Sequence, residues 1–242
     1  MKGNGGITRM AANKQSRKQP SNKQLKIKIN ENGPYVVSGG IPLEEDIMIS
    51  GIDGIPYEWR AGNKYPIKDK YMLCRCGQSK NPPFCDGTHS HIEFDGTETA
   101  GNKPFLKQAE EINGPELDLT DAPALCVHAG FCDRAGGVWN LVEYSDTPEA
   151  RRIAIEEASD CPSGRLVVWD KDGNEIEPEF EPAIGLVIED LEEGATGALW
   201  VRGGIPIEGA DGTKYEIRNR VTLCRCGKSA NKPFCDGNHL DE

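Results

Sequence analysis

Apolar and polar side chains alternate over residues 25–29, where Lys26 and Lys28 separate Leu25, Ile27 and Ile29. A period of two predicts a strand with one buried face. Asn30, Asn32, Gly33 and Pro34 supply turn residues, and a second apolar run, Tyr35 to Val37, ends at Gly39-Gly40-Ile41-Pro42. The same order returns near the end of the chain. Ile184, Leu186 and Ile188 lead through a Glu- and Gly-rich turn to Leu199, Trp200 and Val201, then to Gly203-Gly204-Ile205-Pro206. Both stretches are predicted to be hairpins. A third extended run follows in each copy, residues 70–73 in the first and 215–223 in the second. The paired glycines lie 164 residues apart, against 150 for the cysteines that follow, so the first copy carries 14 extra residues, expected as a loop insertion near 45–62. Between the copies the pattern changes to a helical one. Ala150, Ile153, Ala154 and Ala158 share one face of a predicted helix over 148–158, and residues 166–169 read as a short strand before an Asp172-Gly173 turn.

Each copy of the strand pattern ends in one constellation: Cys74, Cys76, Ser79, Pro83, Cys85, Asp86, Gly87, Thr88 and His89 in the first, and Cys224, Cys226, Ser229, Pro233, Cys235, Asp236, Gly237, Asn238 and His239 in the second. Six of the nine cysteines and two of the four histidines thus fall into one register. In an extended chain, residues two apart point the same way, so Cys74 and Cys76 can grip one metal while Arg75 projects oppositely. Cys85 and His89 are four apart, the spacing of side chains stacked on a helical face. Asp86 and Asp236 are expected to cap that helix, and Ser79 and Ser229 to donate hydrogen bonds to cluster sulfur, with ordinary turn chemistry as the alternative. Three thiolates and an imidazole also make a zinc site. The tight C-x-C favours one iron of a binuclear cluster, since structural zinc sites open with C-x₂₋₄-C.

Composition narrows the setting. The 242 residues hold 37% hydrophobic and 7% aromatic side chains with 28 Gly and 16 Pro, which predicts small, turn-rich units stiffened by cofactors rather than one large core. No apolar run approaches the roughly 18 residues that span a bilayer, and no secretory signal core is present, so a soluble, cytoplasmic protein with reduced cysteines is expected. The net charge is −11, yet residues 1–28 carry eight Lys and Arg and no acid, leaving −19 on the remainder. An acidic body repels phosphates, so nucleic-acid binding is not expected. The basic stretch over 1–22 reads as a solvated tail, with an organellar targeting segment as the alternative.

The spacing C-x-C-x₂-S/T-x₃-P-x-C-D-G-S/A/T-H resembles the signature of the CDGSH iron–sulfur domain, the iron-binding zinc-finger CDGSH type. The first copy matches throughout; the second departs only at Asn238. The resemblance implies two [2Fe–2S] clusters, one on Cys74, Cys76, Cys85 and His89 and the other on Cys224, Cys226, Cys235 and His239. It also implies a shared β-cap, so that two copies in one chain would form an intramolecular pseudo-dimer, monomeric as a whole. The expected fold class is α+β: CDGSH units over 23–95 and 183–242, with an inserted ferredoxin-like α+β domain over 96–182.

In that insert, Cys126, Cys132 and the Cys161-Pro162 pair are similar to the cysteines of divergent single-cluster ferredoxins. This likeness implies a third cluster, [3Fe–4S], or [4Fe–4S] with a further ligand, for which His128 is a candidate; the alternative is an insert that no longer holds metal. His91 is expected to be simply exposed.

An oxidised [2Fe–2S] core with three thiolates and a neutral imidazole carries less negative charge than one with four thiolates, so it accepts an electron more readily. The imidazole adds a proton site that makes the centre sensitive to pH and acid. No nucleophile elbow, phosphate loop or dinucleotide fingerprint appears, and no catalytic constellation is seen. The expected function is electron transfer with a reductase or acceptor protein. Cluster delivery to apo iron–sulfur proteins, or redox sensing, is the alternative, followed by a zinc-binding interaction module.

Overall fold

In the computed structural model, which describes residues 24–189 and 197–240, the alternation at the start of the chain becomes the hairpin β1 (Lys26–Ile29) and β2 (Tyr35–Ser38), with Ile29 opposite Tyr35. Ile27, Ile29, Tyr35 and Val37 turn inward and are fully buried. The chain continues through β3 (Leu43–Ser50), β4 (Pro56–Lys64) and β5 (Lys70–Leu73), which pairs with β2. The second copy gives β10 (Ala183–Ile188) and β11 (Leu199–Arg202), again antiparallel, then β12 (Ile207–Glu208) and β13 (Arg220–Leu223). Only the last four residues of the run 215–223 form a strand. The basic tail expected over 1–22 and the turn expected over 190–196 lie outside the described residues.

The two copies exchange strands. β1 lies parallel to β12 in the sheet β12-β1-β2-β5, and β10 lies parallel to β3 in the sheet β13-β11-β10-β3-β4. Each Gly-Gly pair is the corner where one copy crosses into the sheet of the other. Gly39 and Gly203 have φ of 96° and 73°, and a Cβ on Gly203 would stand 2.5 Å from the Pro182 nitrogen, so no larger residue fits the crossing. One hydrophobic core joins Ile27, Tyr35, Val37 and Leu73 of the first copy to Ile184, Leu186, Val201 and Leu223 of the second. Each such side chain contributes about 1.5–3 kcal/mol on burial, and neither copy could assemble that core alone.

The expected loop insertion near 45–62 is instead the antiparallel ribbon β3–β4, turned at residues 51–54. Its acidic and glycine residues mask the strand signal, because much of the ribbon is partly exposed and its alternation is therefore incomplete. The ribbon reaches the insert: Trp59 stacks on Phe131 at 4.6 Å and its Nε1 donates to the Asp160 carbonyl at 3.0 Å.

The insert has its own layers. β6 (Glu110–Asn113), β7 (Asp118–Asp121), β8 (Leu166–Trp169) and β9 (Glu175–Ile176) form an antiparallel sheet. Helices α1 (Val138–Glu143) and α2 (Pro148–Asp160) pack with it around Leu119, Val142, Ala154 and Leu166. Thr147 caps α2 by accepting from the Ala150 N–H, and Pro148 suits the first helical position. Ala150, Ala154 and Ala158 are buried as the helical period predicts; Glu157, on the same face, is fully buried too. Its carboxylate has no hydrogen-bond partner, and burial pushes its pKa up to about 8. Among the described residues, no helix is long and apolar enough to cross a membrane.

Candidate metal centres

Strand pairing assembles each Cys/His group. The Cys74 N–H donates to the Pro83 carbonyl and the Cys85 N–H to the Met72 carbonyl, both at 2.9 Å, so the intervening loop folds back and sets Cys85 beside Cys74. In the second copy Cys224 and Cys235 make the same bonds to Pro233 and Thr222 at 2.8 and 3.0 Å. The Sγ atoms of Cys74 and Cys76 lie 3.6 Å apart, as do those of Cys224 and Cys226. His89 Nδ1 is 3.3 Å from Cys85 Sγ, and His239 Nδ1 is 3.5 Å from Cys235 Sγ. Two thiolates on one tetrahedral metal, with bonds of about 2.3 Å, would be separated by roughly 3.8 Å. Among the described residues no three of these side chains converge on a single point. Each site is built as a Cys–Cys pair and a Cys–His pair.

Two local expectations need correction. Cys85 and His89 do not share an α-helix; only a 3₁₀ turn over Thr88–His91 forms, after Gly87 at φ 90°. The pair meets because Asp86 accepts from the Thr88 and Lys80 N–H groups at 2.9 and 2.8 Å, drawing the turn against the cysteine loop and holding its own pKa well down. Asp236 likewise accepts from the Asn238 and Ala230 N–H groups, at 3.2 and 2.7 Å. Ser79 and Ser229 donate to the carbonyls of Phe84 and Phe234 at 2.6 and 2.7 Å, so each hydroxyl proton serves the loop and not cluster sulfur. His91 is exposed, as expected.

The sulfurs sit among N–H groups. A hydrogen bond from Cys226 lowers the Cys224 pKa to about 6 against burial, with help from the backbone at Ser229, Gly227 and Cys226. Burial raises Cys76, opposed by the Gln78 N–H. Arg225 reaches toward Cys74 of the other copy and has a buried Nη1 without a hydrogen-bond partner. Backbone N–H groups aimed at the thiols, with a buried cation nearby, fit an anionic cluster. Arg75 projects away from Cys74 and Cys76, donating to the Asn30, Gly33 and Gly96 carbonyls. The two loops touch: a Cβ on Gly77 would lie 2.7 Å from the Cys226 carbonyl oxygen. Tyr35 of the first copy donates to the Cys224 carbonyl at 2.7 Å.

The surroundings differ. His239 Nε2 meets both Glu189 oxygens, at 3.0 and 3.1 Å. Burial opposes protonation of this histidine, yet its bonds with Cys235 and Glu189 raise its pKa to about 10. Among the described residues, Nε2 of His89 has no hydrogen bond. Sequence reasoning missed Glu189, because a contact across 50 residues leaves no periodic trace.

Cys126, Cys132 and Cys161 line one cavity of about 240 Å³ together with His128, Ser163 and Arg165. Burial pushes Cys132 up to about 12, with Asp133 and Cys161 adding to the shift. This cavity adjoins the second site: Val127 packs on Cys235, and any Cβ on Gly237 would collide with the His128 ring. Arg220, fully buried, donates to the Cys161, Ala158 and Leu166 carbonyls at 2.7, 2.8 and 3.1 Å and pairs with Glu177 at 2.6 Å. The cation at the equivalent position 70 was the one hint of this residue in the sequence.

Each Cys/His group is thus a repeated set of donor pairs on a shared β-scaffold, the arrangement of a candidate metal centre. Comparison with protein families agrees: residues 32–90 and 196–240 match the iron-binding zinc finger CDGSH type, and residues 112–171 match the divergent 4Fe-4S mono-cluster family. The chain therefore has two regions that match the iron-binding zinc finger CDGSH type, with one that matches a divergent 4Fe-4S mono-cluster between them. No curated protein and no solved structure matched it.

Proposed function

We propose that the chain is an electron-transfer protein holding two [2Fe–2S] clusters, one on Cys74, Cys76, Cys85 and His89 and the other on Cys224, Cys226, Cys235 and His239. Units 23–95 and 183–242 act as a covalent pseudo-dimer, and the insert 96–182 holds a third, [3Fe–4S] or [4Fe–4S], cluster at Cys126, Cys132 and Cys161. The observation that carries this reading is the doubled arrangement of two donor pairs, with thiols 3.6 Å apart in each C-x-C. Bound there, a [2Fe–2S] cluster supplies a one-electron couple whose potential lies between those of four-thiolate and two-histidine centres.

The residues present do the remaining work. Cys74, Cys76 and their counterparts clamp one side, while Cys85 with His89, and Cys235 with His239, clamp the other. The outer nitrogen of His89 is available for a proton, while that of His239 already meets Glu189; a proton at either nitrogen couples electron uptake to pH. The chain acts as a carrier and not as an enzyme, its partners being a reductase and an acceptor protein. A second reading, cluster delivery or redox sensing, draws on the His89 side chain, whose outer nitrogen no described residue holds.

Replacing either histidine by cysteine tests the assignment. H89C and H239C should each lower the potential of one centre and slow its loss in mild acid, read by EPR-monitored titration and visible absorbance. Unchanged potentials and unchanged lability in both variants would refute the role of histidine. Transfer to an apo-ferredoxin, faster than electron exchange with the holo form, would favour the delivery reading.

A further inference from the structure

Positions 150 residues apart are equivalent in the two copies, and the insert covers only one member of each pair. In the second copy, Arg218 donates to the Gly164 carbonyl at 2.5 Å and stacks on Phe105 at 3.8 Å. Arg220 is locked into the Cys161 loop as described, Asn231 donates to the Ala124 carbonyl at 3.0 Å, and Thr222 is 2% exposed. The counterparts in the first copy, Lys68, Lys70, Asn81 and Met72, are all solvent-exposed, Met72 at 48%. Where Gly237 abuts His128, Gly87 has open space, and Cys85 is partly exposed where Cys235 is buried.

We propose that this face around Lys68, Lys70 and Met72 is the docking surface for an acidic ferredoxin-type electron carrier, an inference that rests on the electron-transfer reading. The insert defines what the equivalent surface receives: carbonyls of the Cys161–Gly164 loop and, from beyond β9, the Glu177 carboxylate, met by two cations. The first copy keeps a cation at both positions and changes its kind. Arginine's rigid fork suits the permanent contact within the chain, whereas lysine's hydrated point charge suits an encounter that must form and release. Asp69 and Asp86 lie nearby, so the patch is locally and not broadly basic, on a body that carries net negative charge. Exposed Met72 supplies an adaptable apolar contact at its centre. Such a patch fits the small, transient interfaces of redox pairs.

The test uses the intact holo-protein and a reduced plant-type [2Fe–2S] ferredoxin, mixed by stopped flow at several salt concentrations. The second-order rate should fall as salt rises. K68E/K70E should lower it at least about tenfold at low ionic strength, the scale of electrostatic steering. K103E/K107E, an equal charge reversal beside the second copy, should leave it within about twofold. Equal slowing by both variants, no slowing by the first, or self-association of the chain through this face would overturn the assignment. If dithionite reduces the clusters while ferredoxin does not, docking fails and the redox reading stands; if dithionite changes neither spectrum nor EPR, the redox reading itself fails.

Discussion

The two copies hold the same donor set in the same register and differ in what lies over it. In the second, the insert closes on Cys235 and Gly237, Arg220 ties β13 to the Cys161 loop, and Glu189 holds the outer nitrogen of His239. In the first, the equivalent surface is bare and the outer nitrogen of His89 is unengaged among the described residues. Duplication has therefore kept the positions of the donor side chains while the neighbours diverged. One site faces inward to the insert and the other faces solvent, the arrangement that the proposed electron relay would use.

The difference can be broken most forcefully at residues 70 and 220. R220A strips a buried cation from Glu177 and from three carbonyls and should cost about 3–5 kcal/mol, whereas K70A should stay within ~0.5 kcal/mol. Equal losses in denaturant melts would show that the insert does not depend on β13. Alanine at the paired glycines comes next. Both lie in the left-handed region, at φ 90° and 87°, so each substitution should cost roughly 1–2 kcal/mol from strain. G237A should lose about 1–3 kcal/mol more, because its methyl group meets His128 whereas that of G87A meets nothing. Thermal melts of the two variants, side by side, measure that increment.

A smaller effect concerns potential. A carboxylate on the outer nitrogen makes an imidazole a more basic ligand and favours the oxidised metal. E189Q should raise the potential of the second centre by roughly 60–120 mV, the one-electron equivalent of a 10- to 100-fold change in affinity, and leave the first in place. A shift of both centres, or of neither, would remove Glu189 from the account.

Much of the site was legible because it is written twice. A single Cys74, Cys76, Cys85, His89 group leaves zinc and iron open; its repetition behind two similar hairpins ties the ligands to a β-scaffold. The origin of the Cys85–His89 contact was misjudged, since a spacing of four is served by a 3₁₀ turn with Asp86 as its tether just as well as by an α-helix. Strands β3 and β4 read as a loop in the sequence because a ribbon with acidic, half-exposed faces lacks clean alternation. Strand exchange at the Gly-Gly corners was hidden for another reason: a φ above zero marks a turn without revealing which sheet the chain enters next. Glu189, Val127 and Arg220 act across 50 or more residues, where no local pattern reports them.

Iron and acid-labile sulfide, counted per chain in anaerobically purified protein, test the central claim most directly. Two binuclear centres predict about four irons with equal sulfide, rising to about seven or eight iron atoms if the insert is filled. Zinc without sulfide would contradict the account.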